Sequence, residues 1–230
     1  MPVTSSLCIV ALLLVHAFVA SVAGECRAAL GMEEGRIPDK AISASSTYEL
    51  KSVGPQNARL RQELNGGAWC PKAQISSEVR EFLEVDLGRD HLVTLTETQG
   101  RFGNGQGQEY AEAFSIEYWR SMLGRWTEYK DSSGKKILQG NSNTYLVQKQ
   151  DLDLPFVASK VRFIPYSQHP RTVCMRVELY GCSWERKPVS VTEKYSGGQI
   201  NHAHCSAARE DYPFSSKQTR VLLGRKENKK

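Results

Sequence analysis

Apolar and polar positions alternate through the middle of the chain, and the alternation predicts short strands. Leu83, Val85 and Leu87 alternate with Glu84 and Asp86 up to a turn signal at Gly88-Arg89-Asp90, and Val93 and Leu95 carry the pattern onto a following strand. Phe114, Ile116 and Tyr118 share one face, Trp126 and Tyr129 follow a turn at Gly124, and Val161 and Phe163 alternate with Lys160 and Arg162 before Pro165. Near the end, Met175, Val177 and Leu179 alternate with Arg176, Glu178 and Tyr180. One side of each strand is expected inward and the polar side outward. Turn signals at Ser133-Gly134 and Gly140-Asn141 fit the spacing of an antiparallel sandwich or barrel. No amphipathic helix of three or more turns and no internal repeat interrupts the pattern, so the expected class is all-β.

The two ends read differently. Leu7 to Ala20 is an apolar stretch running into the small residues Ser21-Val22-Ala23-Gly24, which is the pattern of a secretory signal peptide occupying residues 1–24 and cut after Gly24. Its apolar core is shorter than the ~20 residues a spanning helix needs, and no later segment reaches ~18 apolar residues, so a secreted, extracellular product is expected. Lys and Arg outnumber Asp and Glu by 30 to 25. Counted from Met1 to Cys182 the balance is 20 against 20, and from Ser183 to Lys230 it is 10 against 5. The positive charge therefore belongs to the last stretch, and a nucleic-acid-binding domain loses its main support.

Removal of Cys8 with the signal leaves Cys26, Cys70, Cys174, Cys182 and Cys205. Cys174 and Cys182 stand at the two ends of one strand pattern, roughly 26 Å apart at ~3.3 Å per residue, whereas a disulfide needs Cα atoms within about 7 Å. They cannot pair with each other. Either remaining pairing ties an early part of the domain to its last strand, and Cys205 is left as a free thiol or an intermolecular partner.

Catalytic chemistry is thinly supplied. His16 leaves with the signal, His202 and His204 lie in the tail, and nothing around His91 or His169 resembles a metalloprotease helix, a nucleophile elbow or a zinc ribbon. Gly100 to Gly107 is glycine-rich, but no Gly-Lys-Ser/Thr follows and no helix pattern begins there, so it reads as a shaped loop. His202-Ala203-His204-Cys205 lacks a fourth ligand at sensible spacing. The sequence predicts a non-enzyme with no metal and no cofactor.

Several blocks carry a specific resemblance. They are Ile37-Pro38-Asp39, Ile42 to Ser46, Ala68-Trp69-Cys70-Pro71, Thr98-Gln99-Gly100-Arg101, Gly140-Asn141-Ser142-Asn143, Arg162-Phe163-Ile164-Pro165 and Val173 to Cys182. Over Cys26 to Trp184 the chain resembles the discoidin domain of discoidin domain receptors, within the broader superfamily of coagulation factor type C domains. The superfamily shares the strand Phe82 to Gly88; the receptor branch also has cysteines at the positions of Cys70 and Cys174. The resemblance implies a discoidin domain over residues 25–184, an eight-stranded jelly-roll-like barrel, and disulfides Cys26–Cys182 and Cys70–Cys174.

Receptors of that family bind triple-helical collagen, fibrillar or other, in a trench formed by loops at one end of the barrel. Collagen offers projecting side chains but no free backbone edge, so recognition must rest on apolar contact and a few polar anchors. By resemblance, Arg101 and Glu109 form the trench floor, and Tyr48, Ser52 and Thr172 line it. Three positions depart from the vertebrate pattern by substituting Tyr48 for tryptophan, Ser52 for threonine and Thr172 for asparagine. Gly66 falls where an aspartate helps to frame the trench. The alternative partner is an anionic phospholipid surface, entered by apolar spikes on the same loops, for which Leu50 and Met122-Leu123 are the candidates.

Residues 185–230 do not resemble the second module of a receptor. Their basic, Gly- and Ser-containing composition predicts a disordered tail. The kinase catalytic loop, metal-binding tripeptide and lysine strand are all absent. The expected product is a truncated or alternatively spliced form, or an incomplete gene model, of a receptor.

Overall fold

The alternating segments pair into antiparallel strands, and among the described residues the longest helix is the single turn Leu50–Val53. The computed structural model describes residues 26–185. The signal sequence, the tail from Arg186, the His202–Cys205 set and the fate of Cys205 lie outside them. The strands are β1 (Ala28–Ala29), β2 (Ile42–Ala44), β3 (Leu83–Gln99), β4 (Ala113–Arg120), β5 (Arg125–Glu128), β6 (Leu138–Gln139), β7 (Gln148–Tyr166) and β8 (Arg176–Ser183). Their order is β1-β8-β3-β7-β4-β5, with β2 also on β3 and β6 also on β4. The fold is thus the all-β, eight-stranded antiparallel arrangement expected.

Two long strands make it a two-layered body. The first part of β3 pairs with β2 and with residues 160–163 of β7, whose far end pairs with β4. The second part of β3 pairs with residues 148–158 of β7 and with β8, and β8 carries β1. The two parts have different neighbours and close on one core. Val85, Phe114, Ile116 and Phe163 come from the first layer, and Val93, Phe156, Val177 and Leu179 from the second. Burying each such side chain contributes roughly 1.5–3 kcal/mol against the entropy of ordering the chain.

The segment Gly88-Arg89-Asp90, expected as a turn between two strands, is instead a bend inside β3. Both sides of it pair antiparallel with β7, so the chain does not reverse. Between the pairs Asp86–Lys160 and His91–Ala158, β3 advances five residues while β7 advances two, and the extra residues bulge outward. Gly88 takes φ +73°, and its N–H donates to the Asp86 carboxylate at 2.8 Å. Sequence chemistry that usually closes a hairpin here folds one strand over the edge of the sandwich.

β8 holds a second departure. Met175, Val177 and Leu179 are buried as the alternation requires, but Arg176 and Glu178, expected to face water, are 1 % and 0 % exposed. The reason is a second cover formed by residues 30–33 and 58–63. Glu178 accepts from the consecutive N–H groups of Gly31, Met32 and Glu33 at 3.2, 3.1 and 2.9 Å, and from Leu179 N–H at 2.8 Å. A buried carboxylate with that many donors is satisfied rather than stranded. Disulfides join Cys26 to Cys182 and Cys70 to Cys174, so both clamp the ends of this strand to distant segments. No helix among the described residues is long and apolar enough to cross a membrane.

Candidate binding groove

At the end of the body where β3 stops and β4 begins, the connection Gly100–Glu112 folds into a tight loop. Arg101 N–H donates to Glu109 C=O at 2.8 Å, which brings residues eight apart into register. Inside, the Phe102 carbonyl accepts from Gly105 and Gly107 at 3.0 and 2.9 Å. A side chain at Gly107 would sit on the Arg101 carbonyl, so close backbone approach is what this glycine supplies. The closure sets the Arg101 guanidinium beside the Glu109 carboxylate at 3.1 Å, each side chain about three-quarters buried. Burial works to raise the Glu109 pKa, but hydrogen bonds from Gln108 N–H and Arg101 outweigh it and hold the carboxyl below its ordinary value.

The facing wall is the loop before and through the one-turn helix Leu50–Val53. The Glu49 carboxylate caps that turn by accepting from Lys51 N–H at 3.0 Å and Ser52 N–H at 2.6 Å. Tyr48 N–H donates to Cys70 C=O at 3.0 Å, and Cys70 N–H donates to Val53 C=O at 3.1 Å. These bonds pin the loop to the segment bearing Cys70 and leave the Tyr48 ring 76 % exposed. The Cys70–Cys174 disulfide carries the same segment to the start of β8, next to Thr172.

Together these elements bound an open groove of about 660 Å³, lined by Tyr48, Ser52, Arg101, Glu109 and Thr172 along with Glu49, Val53, Lys72 and both cysteines of the second disulfide. All five residues picked from the sequence therefore lie around one space. Its lining is apolar at Val53, Pro71, Ala73 and the disulfide, and carries hydroxyl, guanidinium and carboxylate groups among them. Such a surface can take a projecting apolar side chain and hydrogen-bond what flanks it; it offers no nucleophile–base pair. Among the described residues no cluster of three or more metal-ligating side chains occurs.

Gly66 changes the meaning of a departure noted above. Its carbonyl accepts from Arg101 Nε at 2.8 Å, so a backbone oxygen supplies the acceptor that an aspartate would offer. A Cβ there would lie 2.5 Å from Ser52 Oγ and 2.7 Å from the Ser52 carbonyl. The position admits only glycine in this packing.

Sequence reasoning missed the support beneath the groove. Arg176 donates to the carbonyls of Gly100 at 2.7 Å, Thr144 at 3.0 Å and Gln62 at 3.2 Å, and pairs with Glu63. The other Glu63 oxygen accepts from Gly103 N–H at 2.9 Å. One buried guanidinium thus ties together three loops at the Arg101 end. The apolar spikes also separate. Leu50 stands on the groove-side helical turn, whereas Met122-Leu123 tip the β4–β5 hairpin, with Ser121 bonded to Asp90 and Ser159 at the bend of β3. β4 is eight residues long, so about 26 Å lies between its two ends. The two spikes are not on the same loops.

The F5/8 type C domain model matches residues 41–179. The chain is 46 % identical over 161 residues to a discoidin domain-containing receptor tyrosine kinase B of Caenorhabditis elegans, covering 70 % of the chain and 20 % of that protein. It is 50 % identical over 157 residues to the discoidin domain-containing receptor A of the same organism, covering 68 % and 20 %, and 42 % identical over 168 residues to the human epithelial discoidin domain-containing receptor 1, covering 73 % and 18 %. The matched part is about a fifth of the length of these relatives. Among solved structures, wild-type discoidin II of Dictyostelium discoideum superposes with a TM-score of 0.51 at 16 % identity, covering 63 % of this chain and 55 % of that one, a likeness of fold alone.

Proposed function

The chain belongs to the F5/8 type C domain family, a non-catalytic binding fold, and from that premise we propose that residues 25–184 form an extracellular module that binds triple-helical collagen in the groove between Tyr48, Arg101 and Thr172. The observation that carries the reading is the convergence on one groove of the five residues that the resemblance implied, with Arg101 and Glu109 hydrogen-bonded to each other in its lining. The discoidin domain receptors that the chain resembles bind collagen in a trench between loops, and a rod with its backbone bonds already made needs such a mixture of apolar and polar lining. Two disulfides in one small domain fit an oxidising, extracellular setting. A phospholipid surface is the weaker reading, because its apolar spikes point from opposite ends of the body.

The test is retention of the purified protein on native collagen and on heat-denatured collagen at equal coating. The proposal expects strong retention on the first and background on the second, and Arg101→Ala should bring the first down to the second. Equal retention on both, or an unchanged Arg101→Ala, would remove the collagen reading.

A further inference from the structure

Four charged residues line the groove: Glu49, Lys72, Arg101 and Glu109. Three are already committed. Arg101 and Glu109 neutralise each other, with Gly66 C=O taking a further Arg101 donor. The Glu49 oxygens are occupied by the N–H groups of Lys51 and Ser52. Lys72 alone has no carboxylate within ion-pair distance among the described residues, yet its backbone is fixed. Its N–H donates to Ser46 Oγ at 2.9 Å, and it follows the disulfide-bonded Cys70 by two residues. The other three charges sum to −1, with the Glu49 carboxylate turned onto the amides of its own helical turn, so the Lys72 ammonium, anchored through its backbone at the rim, is the charge left to pair with whatever lies across the groove.

We infer that Lys72 is a specificity-determining residue, and that the groove selects triple-helical segments in which an acidic side chain flanks the apolar side chain entering it. The inference deepens the collagen reading and rests on it. An exposed pair of this kind changes affinity by about two- to fivefold and weakens as salt is raised.

The experiment uses host triple-helical peptides with one apolar guest residue and Glu, Gln or Lys beside it, offered to the full chain, to Lys72→Ala, to Lys72→Glu, and to Lys51→Ala as a neighbouring cation that does not line the groove. The expected order for the unaltered chain and for Lys51→Ala is Glu over Gln over Lys, by about two- to fivefold in each step at low salt. Lys72→Ala should flatten the order and Lys72→Glu should reverse it, with unchanged unfolding temperatures. The same order in Lys72→Ala would overturn the inference while leaving collagen binding in place. If no native peptide is held better than its denatured form, the collagen reading itself fails. Binding to phosphatidylserine vesicles that Lys72→Ala abolishes, with no discrimination among peptides, would assign the cation to a membrane instead and overturn the inference.

Discussion

Replacing Arg176 by methionine keeps an unbranched apolar stem and removes the guanidinium with its charge and its five donors. The carbonyls of Gly100, Thr144 and Gln62 lose a partner together, and Glu63 loses its ion pair. Adding a charge-assisted bond value of about 1.5–3 kcal/mol for each would overshoot, because loops that open can rehydrate their carbonyls. The Glu63 side chain is 29 % exposed and regains water more readily than Arg176, whose side chain is 2 % exposed. Breaking a buried pair from its buried side costs about 3–5 kcal/mol, which is a large share of the ~5–15 kcal/mol that holds a domain folded. The expected fall in unfolding temperature is roughly 6–20 °C. Urea unfolding followed by tryptophan fluorescence, with both disulfides intact, measures the loss of free energy, and a thermal scan measures the shift in temperature. Glu63→Gln alone should cost less, and the double variant should cost less than the sum of the two by about 1–3 kcal/mol. A loss below about 1 kcal/mol for Arg176→Met, or strict additivity, would refute the argument that this guanidinium anchors the three loops.

Four further outcomes follow from the groove. Glu49→Ala removes the cap of the helical turn, so stability should fall by about 1 kcal/mol in urea unfolding while collagen affinity falls further, because Tyr48 loses its position. Gly66→Ala should lower both the unfolding temperature and collagen retention through the clash with Ser52, and Gly66→Asp should behave no better despite restoring a carboxylate. The Glu109 carboxyl is held below its ordinary value, so the contribution of the charged pair is complete above the unfolded-state pKa and is lost as pH falls through the lower folded-state value. Binding measured at constant ionic strength should accordingly be flat from neutral pH down to the ordinary carboxylate range and weaken only below it, a decline that Glu109→Gln should lack. Changing Cys70 and Cys174 together to alanine opens a loop of 104 residues and should cost about 2–5 kcal/mol, with collagen binding lost at temperatures where circular dichroism still shows the folded sheet.

Much of the fold was legible because period-two alternation reports a half-buried strand wherever one face meets the core. The inward faces of Phe114 and Ile116, of Val161 and Phe163, and of Val177 and Leu179 follow from it directly. The rule failed on β8, where Arg176 and Glu178 face loops between 32 and 147 residues away in the chain, and a polar residue satisfied by distant backbone groups looks like a polar residue facing water. The bend at Gly88 failed for a related reason. Gly-Arg-Asp carries turn chemistry, but whether the chain reverses or merely bends is decided by pairing with β7, which the local sequence does not contain.

The groove was legible to different depths. All five residues came from resemblance; Arg101 and Glu109 stand at the two ends of one glycine-rich loop that closes on itself, whereas Tyr48, Ser52 and Thr172 are brought to the same place only by the topology. The supporting parts left no trace in the sequence. Gly66 acts through its carbonyl, Glu49 through a cap on a single helical turn, and Lys72 is set apart by having no ion-pair partner among the described residues. None of these has a side-chain pattern to read. The misplacement of Met122-Leu123 likewise required the path of β4, which carries that hairpin to the far end.

The most direct measurement compares collagen affinity after Tyr48→Ala in the groove with that after Met122→Ala on the opposite tip, by surface plasmon resonance on native collagen. An exposed aromatic anchor at the centre of a contact should cost tenfold or more, roughly 1.4 kcal/mol upward, while the distant methionine should change nothing. Loss of binding in Met122→Ala with Tyr48→Ala unaffected would place the ligand at the other end of the molecule and contradict the account.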